Sequence, residues 1–370
     1  MSNEIKEIRK AREPLIHIAK RDVMPWYKSL LIRVAAVAIA LLLSSVLAYF
    51  LIGTANPFQL LSTLVDGSFG SERRVWKFAK DLAVMLCISL AVTPAFRMKF
   101  WNIGAEGQVL VGALAAIACA FYIRDAVPNA VLLVIMAVAA MLAGAIWGVI
   151  PAIFKAVWNT NETLFTLMMN YIIIGVVKWL QGGPWEGRPG SQIIPQFNKA
   201  AVLPKVFGVH CGWIIVLVLT VLMFIYMKYT KHGYEITVIG ESENTARYAG
   251  MNVGRIVMRT MFISGAISGL VGFIVSAGAN TTLYDGVAAG VGFTAITVAW
   301  LAKLNPFGMV GISVLLAVLE KGADTLQTRM AVPASISDII TGIFLFCMLG
   351  CEFFIEYKMI FRSRKEVAEQ

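Results

Sequence analysis

The sequence predicts an all-α polytopic membrane protein of about ten transmembrane helices, some of them broken, and three observations carry that prediction. First, of 370 residues 58% are hydrophobic and only 15% charged, with mean hydropathy +0.75, whereas a soluble domain is roughly 25% charged. Second, the charge deficit is concentrated in uncharged runs close to the roughly 20 residues that a spanning helix needs. Third, the net charge of +10 is distributed as the positive-inside rule expects, which separates this chain from a nucleic-acid binder.

In order, residues 1–28 form a basic cytoplasmic tail containing Lys6, Arg9, Lys10, Arg12, Lys20, Arg21 and Lys28. The first apolar run, 30–52, is too long for the core of a cleavable leader. Further spans are expected at 81–95, 101–122, 130–150 and 162–180. A Gly- and Pro-rich loop at 181–212 precedes spans at 213–227 and 255–278, and a polar cytoplasmic segment, 231–254, lies between these two. Two short, Gly-interrupted runs, 287–301 and 307–319, count as the eighth and ninth spans, and 336–354 is the tenth. The transmembrane domain is then 29–357, with a cytoplasmic tail at 358–370. The 181–212 loop divides the spans into two groups of five, which leaves room for an internal structural repeat. With both termini inside, 21 of the 32 Lys and Arg fall inside and 11 outside. Arg73, Arg74, Lys77 and Lys80 fall outside, against the bias.

The five cysteines form no Cys-x-x-Cys pair, the three histidines are far apart in sequence, and no metal ligand set or disulfide framework is expected. The polar residues among apolar neighbours are the candidates for function. Asn102, Glu106 and Gln108 lie in Trp101-Asn102-Ile103-Gly104-Ala105-Glu106-Gly107-Gln108, at the cytoplasmic start of the third span. They either line a pathway or brace a break, and Glu106 could hold a half-helix through its backbone. Asn170 and Asn280 are pathway candidates or interhelical hydrogen-bonding groups. Phe293 and Trp300 either pack against lipid and core or offer a stacking surface. Asp285, near Tyr284, is placed at the outer mouth. Asp338 is read as the start of the last helix, where a carboxylate favours the positive helix end. In the cytoplasmic segment, Ser242 can cap a helix over 243–249 that Gly250 stops.

These segments resemble one family. Asn102-Ile103-Gly104-Ala105-Glu106-Gly107-Gln108 with Gly112 is similar to a signature of the ABC-importer permeases for ribose, nucleosides and branched-chain amino acids. Glu162-Thr163-Leu164 with Met169-Asn170-Tyr171, Gly233-Tyr234 through Val253, and Gly290 to Trp300 with Asn305-Pro306 resemble further blocks of that family, in family order. The general importer loop, Glu-Ala-Ala then Gly, is matched only at Ala246 and Gly250, so its docking residues do not transfer.

The resemblance implies a transport subunit in a bacterial plasma membrane and not an enzyme. It implies a homologous but unlike second permease, a cytoplasmic ABC ATPase that binds ATP and Mg, and an external solute-binding lipoprotein. No cofactor is expected in this chain, which has no Gly-Lys dipeptide and hence no P-loop. The 28-residue tail points to a nucleoside permease, with a simple-sugar permease as the alternative. Glu243, Asn244, Ala246, Arg247, Tyr248 and Gly250 would form the helix that couples to the ATPase. A stand-alone secondary transporter and a membrane enzyme are the rivals from other classes.

Overall fold

The computed structural model describes residues 16–21, 24–52, 57–195, 201–284, 286–287, 290–330 and 333–361. In chain order these form β1 (Ile16–Lys20), α1 (Trp26–Ile52), α2 (Pro57–Phe69), α3 (Glu72–Arg97), α4 (Ala105–Tyr122), α5 (Asn129–Trp158), α6 (Glu162–Gln181), β2 (Lys205–Val206), β3 (Val209–His210), α7 (Gly212–Tyr229), α8 (Lys231–Glu241), α9 (Glu243–Tyr248), α10 (Val253–Ile274), α11 (Val291–Leu301), α12 (Pro306–Met330), α13 (Ala334–Glu356) and β4 (Tyr357–Phe361). Among the described residues nine helices are long and apolar enough to cross a membrane, and α11 is a shorter apolar helix.

Side-chain caps set the starts of several helices by satisfying otherwise orphaned N–H groups. Ser71 accepts from the Arg74 amide, Asn161 from Leu164, Thr230 from Gly233, Ser242 from Thr245 and Asn252 from Arg255. The Ser71 cap explains one correction: the second span begins at Glu72 and not at residue 81. Its outer turns carry Arg73, Arg74, Lys77 and Lys80 in helical form, with Arg74 paired to Asp66 at 3.0 Å. The last helix begins at Ala334 behind Pro333, so Asp338 lies one turn inside it and does not start it. The ninth span runs to Met330, well beyond the expected 319.

The chain divides into two units, one made of its two ends (to Leu64 and from Ala323) and one of 65–322. In the first, α1 packs on α13, and Arg33 Nη2 meets Glu352 Oε1 at 2.6 Å between them. β1 and β4 pair antiparallel, Ile16 opposite Phe361 and Lys20 opposite Tyr357.

In the second unit α10 is the central helix, packed on α5, α4 and α3. Lipid provides no hydrophobic drive between helices, so close backbone approach through small residues does the work. A Cβ on Gly269 would sit 2.1 Å from the Ala140 carbonyl oxygen, and one on Gly272 2.3 Å from that of Val109. Because α10 follows the 181–212 loop and α3 to α5 precede it, the two groups of five spans interleave.

Two departures matter most for the site. The cytoplasmic segment contains α8 in addition to the expected short helix. The expected eighth span is only partly helical: after α10 ends in a π turn (Val275–Asn280), residues 281–284 and 286–287 are non-helical, and α11 covers only eleven residues.

Candidate functional site

Phe100 to Gly104 turn the chain from α3 into α4, and three buried amides hold this turn. Asn102 is fully buried. Its Nδ2 donates to Gln108 Oε1 (3.3 Å) and to Ser264 Oγ (3.2 Å), and its Oδ1 accepts from the Gly104 amide (3.2 Å) and from Gln108 Nε2 (3.3 Å). From α6, Asn170 accepts from the Gly107 amide (2.9 Å) and donates to the Ile103 carbonyl (3.0 Å). Thr166 Oγ1 donates to its own helix at Glu162 and leans on the Trp101 carbonyl. Side-chain amides and a hydroxyl thus meet the Gly104 and Gly107 amides and the Ile103 and Trp101 carbonyls, as a low-dielectric setting favours. The small residues permit it: a Cβ on Gly107 would lie 2.6 Å from Asn170 Oδ1.

Glu106, in the first turn of α4, points the other way. Its Oε1 accepts from the Gly290 amide at 3.0 Å, and Gly290 adopts φ +73 immediately before α11. A Cβ on Gly292 would come within 3.0 Å of Oε2. The carboxylate therefore sits against the positive end of the short helix, the arrangement that helix-terminus electrostatics favour. Oε2 is buried and faces Gly292, whose backbone amide also bears on the carboxylate, without a hydrogen bond of ordinary geometry among the described residues. Beyond it, Phe293 is 49% exposed. At the other end of α11, Trp300 stacks on Trp101 with centroids 5.5 Å apart, and Phe96 lies 6.0 Å from Trp300.

At the opposite end of α10, α8 and α9 pack through Ile236, Ile239 and Ala246 onto Ala95, Phe100, Ala152 and Met261. α8 has a glycine near each end, and the fold needs both. A Cβ on Gly240 would lie 2.0 Å from the Arg97 carbonyl oxygen, and one on Gly233 2.4 Å from that of Tyr226. His232 is buried between the Tyr226 hydroxyl on α7 and Thr260 on α10. Burial first, and Arg259 second, hold its imidazole below the usual histidine range. On α9, Glu243 pairs with Arg247 one turn later. Asn244 is exposed, and Tyr248 is 93% exposed. Gly250, at φ +76, ends the element. A cavity of about 450 Å3 opens beside α9, lined by Lys99, Asn159, Glu162, Glu241 and Arg247 among others.

The structure therefore brings Asn102, Gln108 and Asn170 into one hydrogen-bonded group and joins Glu106 to the start of α11. It places Phe293 one turn further on and gathers Glu243 to Gly250 separately. Asn280 closes the π turn, and its side chain lies outside the described residues, as does Asp285. Sequence reasoning missed Thr166 and Ser264, hydroxyls whose partners are remote in the chain. Gly290 and Gly292 stood out in the sequence as part of a Gly-interrupted block, but not as the partners of Glu106.

Fold and site together define a multi-pass α-helical membrane protein in which a carboxylate on one spanning helix holds the start of a shorter apolar helix. The chain belongs to the family described as the permease component of the branched-chain amino acid transport system, whose model matches residues 76–349. It is 31% identical over 291 residues to the glucose ABC transporter permease protein TsgB13 of Haloferax volcanii, covering 74% of this chain and 76% of that one. It is 31% identical over 295 residues to the guanosine ABC transporter permease protein NupP of Bacillus subtilis (77% and 83%). It is 25% identical over 314 residues to the nucleoside ABC transporter permease protein NupB of Lactococcus lactis (81% and 85%).

Proposed function

We propose that this chain is a permease subunit of an ATP-driven importer and that its solute is a nucleoside handed over by an external binding protein. The observation that carries a transport pathway is the broken crossing. Non-helical backbone at membrane depth persists only inside protein or along a water-filled cavity. Here it ends on Glu106, whose carboxylate takes the Gly290 amide and faces Gly292 at the start of α11. Transporter folds place solutes at such helix ends. The pathway runs past α11, where Phe293 and Trp300 offer aromatic surface to a base and Glu106 offers an acceptor to a hydroxyl. The hydrogen bonds of Asn102, Gln108 and Asn170 support a bracing role for them beside the pathway.

α9 is the element through which a cytoplasmic ATPase moves the spans, because its outer side is exposed and its Ala246 is buried among the ends of α3, α5 and α10. The importer is completed by a second, unlike permease, an ATPase that supplies the ATP and Mg sites, and a binding lipoprotein, in a bacterial plasma membrane with both termini cytoplasmic. Equal identity to a glucose and a guanosine permease keeps a simple sugar as the second reading.

The test is reconstitution of the assembled transporter in proteoliposomes with labelled guanosine and labelled glucose. Guanosine uptake that requires the ATPase, ATP and the binding protein is expected. Glucose uptake instead would replace the solute class, and uptake by this chain without any ATPase would overturn the reading.

A further inference from the structure

His210 is the one histidine in the loop between α6 and α7, and it is 1% exposed. Neither ring nitrogen has a hydrogen-bond partner among the described residues. The ring fills a slot between two glycines. A Cβ on Gly278, in the π turn, would lie 2.8 Å from its Cγ, and one on Gly212, at the start of α7, 2.6 Å from its Nδ1. Around it the loop is tied to the π turn at the end of α10 and to the irregular backbone just after that turn. The Leu203 amide donates to the Ala277 carbonyl (2.9 Å), Thr282 Oγ1 donates to the Ile194 carbonyl (2.8 Å), and the Cys211 amide donates to the Pro204 carbonyl (2.9 Å). The imidazole is thus the plug of a clasp between the loop and the point where the eighth crossing becomes irregular.

The charged groups around the plug do not welcome a proton. From α3 come Lys80 and Asp81, and Asp81 is already engaged by Lys321 of α12 at 2.6 Å. β2 places Lys205 opposite His210 in the ladder. The adjacent Cys211 thiol is pushed up by burial and stays neutral. The π turn and the first turn of α7 contribute no titratable group. A protonated ring would hold two N–H donors without acceptors, beside more positive than negative charge.

We propose that His210 is a proton-sensitive latch: its neutral ring keeps the 201–211 segment seated on the π turn, and protonation from the external medium releases it. Burial first, then Lys80, lowers the imidazole from 6.5 to about 4 in the seated state. A group lowered in one state favours that state while deprotonated. The seated loop is therefore fully favoured above 6.5 and loses its advantage as pH falls toward 4. Linkage between these two values makes release about 20-fold more favourable at pH 5 than at pH 7.

The test is hydrogen exchange of the assembled transporter in lipid nanodiscs, with protection factors corrected for intrinsic exchange. Protection of the Leu203 and Cys211 amides is expected to fall about 20-fold from pH 7 to pH 5, while amides in the middle of α10 hold theirs. His210→Gln should abolish the pH dependence. His210→Leu, which keeps the slot apolar, should do so with high protection at both values and serves if the Gln variant does not assemble. A flat wild-type profile, or an unchanged dependence in either variant, would overturn the latch. Only the assignment of the loop to the external side rests on the orientation proposed above. The exchange readout needs no solute, so failure of the import assay leaves this result standing.

Discussion

Asn170 shows how much one amide can hold. It satisfies the Gly107 amide and the Ile103 carbonyl at once, and both belong to the turn into α4 and its first helical turn. Asn170→Ala should therefore leave two backbone groups unpaired and cost about 1–3 kcal/mol, read as reduced resistance to unfolding in mixed micelles. Asn170→Leu should be no better, because the loss is polar and not volumetric. Glu106 predicts differently. Glu106→Gln keeps an oxygen for the Gly290 amide and should leave stability within about 1 kcal/mol, while Glu106→Ala removes both acceptor and charge. If Glu106 also meets solute, Glu106→Gln should lower uptake at unchanged stability; equal uptake would confine it to bracing. The sequence displayed these residues plainly, as polar groups where lipid was expected. It did not display their partners, since Ser264 lies 162 positions from Asn102 and hydroxyls are too common in helices to signal anything.

At the scale of elements, caps were legible and packing was not. Ser242 and Gly250 bound α9 as their chemistry predicts. α8 escaped because Gly233 and Gly240 lower helix propensity, and only the neighbouring Tyr226 and Arg97 carbonyls explain why they are there. α11 falls inside the short, Gly-interrupted run expected at 287–301 and ends where that run does; only its start, four residues later at Val291, was not legible, because composition does not reveal where backbone stops being helical. These elements make separate predictions. Gly240→Ala drives a methyl into backbone that has nowhere to move, so α8 must shift at a cost of about 1–3 kcal/mol, and the assembled transporter should lose both uptake and thermal stability. Arg247→Ala with Tyr248→Ala touches only exposed groups. Its Glu243 pair contributes at most about 0.5 kcal/mol, so stability should hold. ATP hydrolysis should nonetheless come uncoupled from uptake, with capture by the binding protein intact. Unchanged uptake would remove α9 from the mechanism.

For the whole molecule the constraint is parity. β1 pairs with β4, which puts the segments before α1 and after α13 on the same face of the membrane, and only an even number of crossings permits that. Nine long apolar helices among the described residues are an odd number. A tenth crossing through α11 would restore parity, but α11 alone spans about 16 Å at 1.5 Å per residue, roughly half of a 30 Å hydrocarbon core. The non-helical residues that precede it, 281–284 and 286–287 among them, would have to supply the remainder. With such a tenth crossing residues 186–192 and the turn at 302–305 would lie on opposite faces, and in the orientation proposed above the first would be external and the second cytoplasmic. Epitopes inserted at these places, probed in intact and permeabilised cells, should be accessible from outside only at 186–192. An external signal at 302–305 would mean that the chain turns back after α10 without crossing. Parity would then require one of the nine long helices to lie outside the bilayer.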